Sequence, residues 1–503
     1  MNGLKKYRGW LVLGAVLLAA GYGLHFYCCA TSVLPRLTLR FTSADAFGNL
    51  EWAGGILQQG WLNPNPHYPY HAWMRRIMSF EDWVSWWGNP AVFLRSPLYA
   101  YLLAGALKIS GNLIWLHFLQ SLMGGALCVL MGVWAGTVFE SRRTGWLAFG
   151  IAACYGPFYC HSWPLLRDPL VWNLMTGSMI LLVVWWRRLE KEAPSPWLSM
   201  GTGMVLGAGL LAHEGFGLMI SMVLVLGLAR KRPVSFRMPW VWLVLGVAVA
   251  VLPLVVRNIR VGAPFLSSSN RFAEGFVVGN AASASPNHSI INRETSGIYR
   301  QTDGKTWSVV RATFATYGQH PERWLWLQGR KLLSLFDPFE SPDNLNLYFM
   351  KEISPMVRWG IPHWWIFIPG LGGLLLGCWR KDSRVLWFGL LLFCLSASFA
   401  LAPIVSRFRQ TFMIVWIPLA ANLFVTAWEW MIQGKWRQVL LTGLFLAGGW
   451  GLCLGPLSLQ PRRDYYRPNE YRMASQICEE QGRTGEAQAF LDLLQRRIQA
   501  AER

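Results

Sequence analysis

The sequence predicts an all-α fold, a polytopic bundle of about eleven transmembrane helices. Of its 503 residues, 53% are hydrophobic and only 14% are charged, whereas a soluble domain of this length carries roughly a quarter charged residues. Apolar runs of about 18 or more residues, long enough to cross a hydrocarbon core of roughly 30 Å, recur along the whole chain. We therefore expect an integral membrane protein with most of its length in lipid.

The predicted spans follow one another from residue 10 to residue 458. Short polar loops connect most of the spans, and two of the connecting segments are long. The spans are 10–30, 113–138, 145–163, 169–186, 197–213, 215–229, 239–256, 357–378, 385–403, 410–432 and 438–458.

The formal net charge of +20 would suit a nucleic-acid partner, but the basic residues stand in short clusters between apolar runs. This is the positive-inside pattern of membrane proteins, so we expect no nucleic-acid partner and a cytoplasmic N-terminus. Every loop assigned to the cytoplasm then carries basic residues: Arg142 and Arg143; Arg187, Arg188 and Lys191; Arg230, Lys231, Arg232 and Arg237; Arg380, Lys381 and Arg384; Lys435 and Arg437.

In this orientation two long segments, 31–96 and 257–356, lie outside the cytoplasm. Both are rich in Trp, Tyr and Phe, so we expect them to fold against the membrane surface rather than to be disordered. Leu98–Ile109 and Trp324–Phe336 are typical of short amphipathic helices that lie in the interface.

The chain divides into a transmembrane domain, 1–460, and a soluble helical tail, 461–503. Apolar residues at helical spacing predict helices over Tyr471–Glu480 and Thr484–Arg497, separated by Gln481-Gly482-Arg483. The pair faintly resembles one tetratricopeptide unit, but a single unit cannot bury a repeat core. A surface hairpin is therefore expected.

Asp45 is the first candidate for chemistry, because it follows the first span and opens a predicted helix at the mouth of the membrane. From spacing alone, a helix cap that satisfies free backbone N–H groups is an equal alternative. The segment from Phe41 through Asp45 and Glu51, together with Ser96-Pro97-Leu98-Tyr99, resembles the first outside loop of the C-type membrane glycosyltransferases. The protein O-mannosyltransferase and aminoarabinose transferase families are the most similar.

Other segments fit the same family in order along the chain. The aminoarabinose enzymes carry a Lys directly before the Pro, whereas this chain has Ser96 preceded by Arg95. Asp168, in Arg167-Asp168-Pro169, resembles an acid that precedes the family's fourth helix, although an ion pair with Arg167 or a helix cap would also explain it. Two later elements carry basic residues, Arg257-Asn258-Ile259-Arg260 with Gly279-Asn280 downstream, and Ser406-Arg407-Phe408-Arg409.

The resemblance implies transfer of a sugar from a polyprenyl-phosphate-linked donor to a protein or lipid acceptor at the extracytoplasmic face of a bacterial inner membrane. Asp45 is then the general base, and Asp168 orients the acceptor or shares that work. Arg407, Arg409, Arg257 and Arg260 would hold the donor phosphate, although Arg257 and Arg260 also suit interface anchors. Glu51, Asn280 and Tyr99 are candidate acceptor or sugar contacts, and Trp61, Tyr68, Trp83, Trp86 and Trp87 are candidates for a sugar-stacking wall.

No metal or other cofactor is expected, because the sequence contains no zinc motif and no phosphate-cradling glycine loop. Two alternatives stay open. An O-antigen-type ligase or polymerase also takes polyprenyl-linked sugar on the outer face. A transporter or flippase for lipid-linked or anionic solutes also needs many helices, but the sequence shows neither an inverted repeat nor a charge deep inside a span.

Overall fold

The structure is a computed structural model that describes residues 8–42, 44–66, 70–191, 194–229, 237–287, 291–455 and 468–502. These residues form helices joined by turns and loops, and the β-pairing among them is a single isolated bridge between Tyr155 and Ile361. The first nine helices are α1 Arg8–Ala30, α2 Leu34–Arg40, α3 Asp45–Gln59, α4 Ala72–Arg75, α5 Phe80–Trp86, α6 Leu98–Ser110, α7 Leu113–Phe139, α8 Arg142–Ala153 and α9 Gly156–His161.

The chain continues as four long apolar helices, then a group of short helices, a second apolar group and a terminal pair. They are α10 Asp168–Lys191, α11 Pro196–Ala212, α12 Phe216–Ala229, α13 Arg237–Val261, α14 Phe272–Asn280, α15 Arg293–Gln301, α16 Thr306–Ala315, α17 Glu322–Leu333, α18 Leu347–Ile353, α19 Pro355–Arg358, α20 His363–Trp379, α21 Val385–Phe399, α22 Ser406–Thr411, α23 Met413–Ile432, α24 Trp436–Leu454, α25 Pro468–Glu480 and α26 Thr484–Glu502. The predicted all-α class is confirmed.

Five helices in the described ranges are long and apolar enough to cross a membrane, or six if Gly14–Ala30 and Leu34–Arg40, which meet at 60°, form one bent span. The predicted number of about eleven is not confirmed, because five other apolar spans are helices of 12 to 17 residues. The predicted span 145–163 is in fact two helices, α8 and α9. Pro157 in the first turn starts the second helix, since proline has no N–H to offer a preceding turn.

Small residues let the apolar helices pack closely. A Cβ on Gly203 of α11 would lie 2.0 Å from the carbonyl oxygen of Leu243 in α13, and one on Gly246 would lie 2.1 Å from that of Met200. Such close backbone approach is how helices associate in lipid, where no hydrophobic force drives them together.

The two long outside segments are folded, with helices α2 to α5 in the first and α14 to α19 in the second. A buried cluster joins them, with Trp83, Trp86 and Trp87 of the first packed against Ile298 and Tyr299 of the second. Helices are present at both positions predicted to lie in the interface, as α6 and α17, and α17 exposes Leu325, Trp326 and Leu332.

The tail residues from 468 onward form the two predicted helices, α25 and α26, which pack against each other and join the main buried cluster of the protein through Tyr471, Ile477 and Leu494. Three sequence predictions fall outside the described residues: the basic cluster Arg230, Lys231 and Arg232, predicted to be cytoplasmic; the aromatic residue Tyr68; and the tail residues 461–467.

Candidate active site

Asp45 is the first residue of α3, and Ala44 takes the cap position in front of it. The N-cap residue of α3 is therefore Ala44 and not Asp45. The Asp45 carboxylate accepts hydrogen bonds from Arg95 Nη2 at 2.5 Å, Arg407 Nη2 at 2.8 Å and Asn344 Nδ2 at 3.1 Å. It is thus held by groups from three distant segments of the chain.

The ionisation of Asp45 reflects these partners. Burial by itself would raise the pKa of the carboxyl, but the guanidinium groups of Arg95 and Arg407 hold that pKa well below its ordinary value. The carboxylate is thus charged over the whole working pH range and is a weak base while both arginines face it.

Arg407, in the short helix α22, lies among three carboxylates. Its Nη2 contacts Asp45 at 2.8 Å, its Nε lies 2.5 Å from Asp343 Oδ2 and its Nη1 lies 3.6 Å from Asp168 Oδ2. Burial opposes the charge on the guanidinium, but Asp343, Asp168 and Asp45 raise its pKa. Only 8% of the side chain is exposed, so the three acids fix both the charge and the position of Arg407.

A cavity of about 1000 Å³ adjoins this cluster. Its charged wall carries acids and arginines in similar number, and its apolar wall comes from α12, α14 and the end of α21. The charged residues are Asp45, Arg95, Arg167, Glu214, Arg271, Glu274, Asp343 and Arg407. The apolar residues include Leu218, Phe272, Phe276, Val278, Ala397, Phe399 and Phe408.

The two walls meet at Arg407. Its neighbour Phe408 packs on Phe399 of α21 with ring centroids 5.6 Å apart, and the Arg407 guanidinium lies 4.8 Å from the Phe408 ring centre. The cavity is therefore amphipathic, which suits a ligand with a charged head and an apolar tail.

Of the arginines expected to bind phosphate, only Arg407 lines the cavity. Arg409 is buried, pairs with Glu340 at 2.8 Å and donates to the backbone carbonyls of Ser334, Asp337 and Phe339. Its Nη donors are used within the protein, so the structure places it as a support of its loop.

Arg257 and Arg260 also lie away from the cavity wall. Arg257 is 2% exposed and donates to the carbonyls of Leu62, Asn63 and Ala91, which makes it a link between α13 and the first outside segment. Arg260 is exposed on the same helix. This exposed position agrees with the alternative role considered for Arg260 from the sequence, that of an anchor at the membrane interface.

The expected acceptor and sugar contacts are likewise not part of the cavity wall. Asn280 is fully buried, and its side-chain oxygen accepts from Trp324 and Gln328 at 3.0 Å. Tyr99 is buried and donates to Gln120 at 3.0 Å, while Glu51 is exposed on α3. These positions favour structural roles for Asn280 and Tyr99.

Asp168 lies behind Arg407 rather than on the cavity wall. It is 8% exposed, and its predicted alternative partner Arg167 pairs instead with Glu214 at 3.4 Å. Its geometry suits positioning of Arg407 more than direct contact with an acceptor. The tryptophans Trp83, Trp86 and Trp87, expected to stack on sugar, are buried in the core between the outside segments.

The structure adds residues that sequence reasoning missed. Asn344 accepts from the backbone N–H of Asp45 at 2.5 Å and donates to both the Asp45 and Asp343 carboxylates. Arg271, whose Nε lies 3.6 Å from Glu274, is also on the cavity wall. The one available signal was the polar run Ser341-Pro-Asp343-Asn344 inside an aromatic-rich segment.

His71 also lines the cavity next to Asp45, and burial lowers the pKa of its imidazole. Within the part of the chain that the structure describes, no group of three or more His, Cys, Asp or Glu side chains is arranged to hold a metal ion. Arg407 pairs with Asp45, Asp168 and Asp343, and Arg95 pairs with Asp45.

Fold and site together define an integral membrane protein, built of helices, with an amphipathic cavity beside a network of carboxylates and arginines. No protein-family model and no curated protein sequence matches the chain.

Solved structures do match. The archaeal oligosaccharyltransferase AglB from Archaeoglobus fulgidus, in complex with an inhibitory peptide and a dolichol-phosphate, gives a TM-score of 0.48 at 12% identity, over 90% of this chain and 56% of that chain. The apo form of the Archaeoglobus fulgidus oligosaccharyltransferase gives 0.48 at 13% identity, over 92% of this chain and 56% of that chain. The form tethered with an acceptor peptide gives 0.45 at 12% identity, over 97% and 59%.

The chain thus spans somewhat more than half the length of these neighbours. These neighbours are oligosaccharyltransferases. At these identities and TM-scores the likeness assigns neither a family nor a chemistry to this chain, so its function has to be argued from the site.

Proposed function

We propose that this protein transfers a glycosyl group from a polyprenyl-phosphate-linked donor to an acceptor hydroxyl or amine at the extracytoplasmic membrane face. The observation that carries the proposal is the meeting of two unlike walls in one cavity. A buried carboxylate, Asp45, faces guanidinium groups on one side, and apolar residues of the membrane helices α12 and α21 form the other. A polyprenyl-phosphate sugar has a charged phosphate that suits the first wall and an apolar lipid chain that suits the second.

In the proposed reaction the acceptor oxygen or nitrogen attacks the anomeric carbon of the sugar. The new bond from carbon to the acceptor forms as the carbon–oxygen bond to phosphate breaks, and the bonding pair leaves with the polyprenyl phosphate. The acceptor proton passes to the Asp45 carboxylate. Positive groups beside the leaving phosphate stabilise the charge that develops on it.

Among the arginines, Arg271 and Arg167 are better placed for the phosphate than those expected from the sequence. Arg271 is 28% exposed and Arg167 is 16% exposed, against 8% for Arg407, and each faces a single acid in its ion pair. A guanidinium with spare donors on a cavity wall can bind a phosphate in a bidentate manner.

Arg407 and Arg95 each contact the proposed base, Asp45, and also line the cavity that would hold the donor. A donor phosphate near Arg407 competes with Asp45 for the guanidinium, which weakens the field that keeps the pKa of Asp45 low. Binding of the donor then raises the pKa of Asp45 toward that of an effective base. The base is therefore strongest when a donor is present.

The test is reconstitution in liposomes with a panel of radiolabelled polyprenyl-phosphate sugars and with peptide and lipid acceptors. Because a base contributes about 10²- to 10⁴-fold, Asp45→Asn should lower the transfer rate by that factor while donor binding persists. Asp82→Asn, an exposed acid on α5, is the matched control and should leave the rate unchanged.

Three results would redirect the assignment. If Asp45→Asn keeps most of the rate and Asp168→Asn does not, Asp168 is the essential carboxylate. If His71→Gln alone removes the rate, the imidazole takes the proton. If labelled lipid crosses the bilayer with no sugar bond made or broken for any member of the panel, the protein is a transporter and the proposal is wrong.

A further inference from the structure

We propose that the C-terminal hairpin, α25 with α26, is a positioning element that holds Asp45 and Asn344 together. The hairpin is bound to the two short segments that carry these residues. The catalytic consequence rests on the proposed function, whereas the contacts do not.

The first contact is aromatic. Phe349 of α18 is fully buried, with its ring centroid 5.1 Å from that of Tyr471 in α25 and 5.9 Å from that of Phe490 in α26. One ring of the outside segment is thus inserted between the two helices of the hairpin.

The second contact is charged. Arg40, the last residue of α2, forms a bidentate ion pair with Glu480 at the end of α25. The hairpin therefore contacts α2 and α18 at once, although these helices are more than 300 residues apart in the chain.

Both contacts flank the site. Arg40 precedes Asp45 by five residues, and Phe349 follows Asn344 by five. Asn344 makes two hydrogen bonds to Asp45, one to its backbone N–H and one to its carboxylate. The hairpin therefore connects the segment that carries Asp45 to the segment that carries Asn344, and the Asn344 side chain connects the same two segments a few residues away.

The segments need this support for a physical reason. Helices α2 and α18 are seven residues long, and helices shorter than about 12 residues are marginal in water unless packing stabilises them. Without the hairpin, α18 would expose Phe349 and lose its fixed position. A misplacement of about 1 Å at a reacting group can cost a hundredfold in rate.

The test introduces a charge into the contact with Phe490→Asp in the full-length protein. Gln495→Asp, on the exposed face of the same helix, is the matched control. Hydrogen–deuterium exchange should show faster exchange in the peptides that carry Asp45 and Asn344 for Phe490→Asp alone. This measurement needs no assumption about the reaction.

Transfer kinetics then test the positioning role. For Phe490→Asp, kcat should fall by about ten- to a hundredfold with the donor KM unchanged, since Arg271 and the apolar wall are untouched. A second pair of variants reverses the charges of the Arg40–Glu480 ion pair and leaves the aromatic contact in place. Glu480→Arg should lower kcat by up to about fivefold, and adding Arg40→Glu should restore kcat.

Unchanged exchange at Asp45 and Asn344 in Phe490→Asp would overturn the proposal, as would equal effects of Phe490→Asp and Gln495→Asp. If exchange rises as expected but no donor of the panel is used by the unaltered protein, the positioning contact stands and the proposed reaction fails. If kcat and donor KM worsen together, the hairpin stabilises the protein as a whole and the positioning role is rejected.

Discussion

Removal of Arg95 is the most direct probe of the electrostatics at Asp45. The Arg95→Gln side chain keeps hydrogen-bonding groups near the carboxylate but loses the charge. Arg95 Nη2 lies 2.5 Å from Asp45 Oδ1, and the two side chains are 13% and 15% exposed, so solvent screens the pair only partly.

The expected size of the change in the Asp45 pKa follows from Coulomb's law. Two unit charges about 4 Å apart interact by about 4 kcal/mol at an effective dielectric constant of about 20. Because Arg407 remains and the site relaxes, we expect the pKa of Asp45 to rise by about 1 to 3 units, the usual effect of one opposite charge. At about 1.4 kcal/mol per unit, folding loses about 1.4 to 4 kcal/mol at neutral pH.

The sign of the pH dependence is fixed by the direction of the shift. Because the pKa of Asp45 is lower in the folded than in the unfolded protein, its ionisation stabilises the fold above about pH 4. This contribution is lost as the pH falls through the folded-state pKa. The stability difference between the unaltered protein and Arg95→Gln should therefore be largest at pH 7 and shrink below pH 4.

Two measurements check this expectation. Thermal unfolding at several pH values gives the stability difference, with Arg260→Gln, an exposed arginine away from the cavity, as the control. Infrared spectroscopy follows the carbonyl stretch of the protonated acid, assigned by its absence in Asp45→Asn. A stability difference that does not shrink as the pH is lowered from 4 to the acid limit of folding, with no upward shift of the infrared midpoint, would refute the electrostatic reasoning.

Three further expectations separate structural from site arginines and examine a buried lysine. Arg409→Met should destabilise the protein by about 3 to 5 kcal/mol, because it leaves Glu340 buried without its partner; a normal unfolding temperature would contradict this. Arg271→Ala should leave the unfolding temperature unchanged and raise the donor KM about ten- to 150-fold through loss of a charge-assisted phosphate contact; an unchanged KM removes Arg271 from the phosphate site. Burial lowers the pKa of Lys331 to about 7, so stability should rise between about pH 7 and pH 10 as the unfolded state alone stays protonated, and Lys331→Met should flatten that rise.

The sequence predicted the helical class and the positions of the apolar segments, because length and hydropathy are local properties. It could not predict the number of complete crossings. The break after α8 depends on a bridge between Tyr155 and Ile361, and on Gly156, whose added Cβ would approach Gly360 Cα to 3.3 Å. These are contacts between segments 200 residues apart, which a hydropathy pattern does not contain.

The candidate site was predicted in part. Asp45 and Arg407 were identified from the family resemblance together with their positions after apolar spans, and the structure brings them to 2.8 Å. Arg409 looked equivalent to Arg407 in the sequence, yet it faces backbone carbonyls in the opposite direction. Positions two residues apart on a helix point to different sides, so Arg407 and Arg409 could not both reach the cavity.

The wide spacing of the groups around Asp45 has a consequence for biosynthesis. Arg95 follows Asp45 within 50 residues, but Arg407 follows only after 362. At about 5 to 20 residues per second, Arg407 is made roughly 20 to 70 s after Asp45. During that time the cations near Asp45 are Arg95 and, once it is made, Arg271, and the hairpin that holds the Asp45 segment is made after Arg407. A chain truncated before α22 should therefore be recognised by membrane quality control as incomplete, because Asp45, Asp168 and Asp343 are left without Arg407.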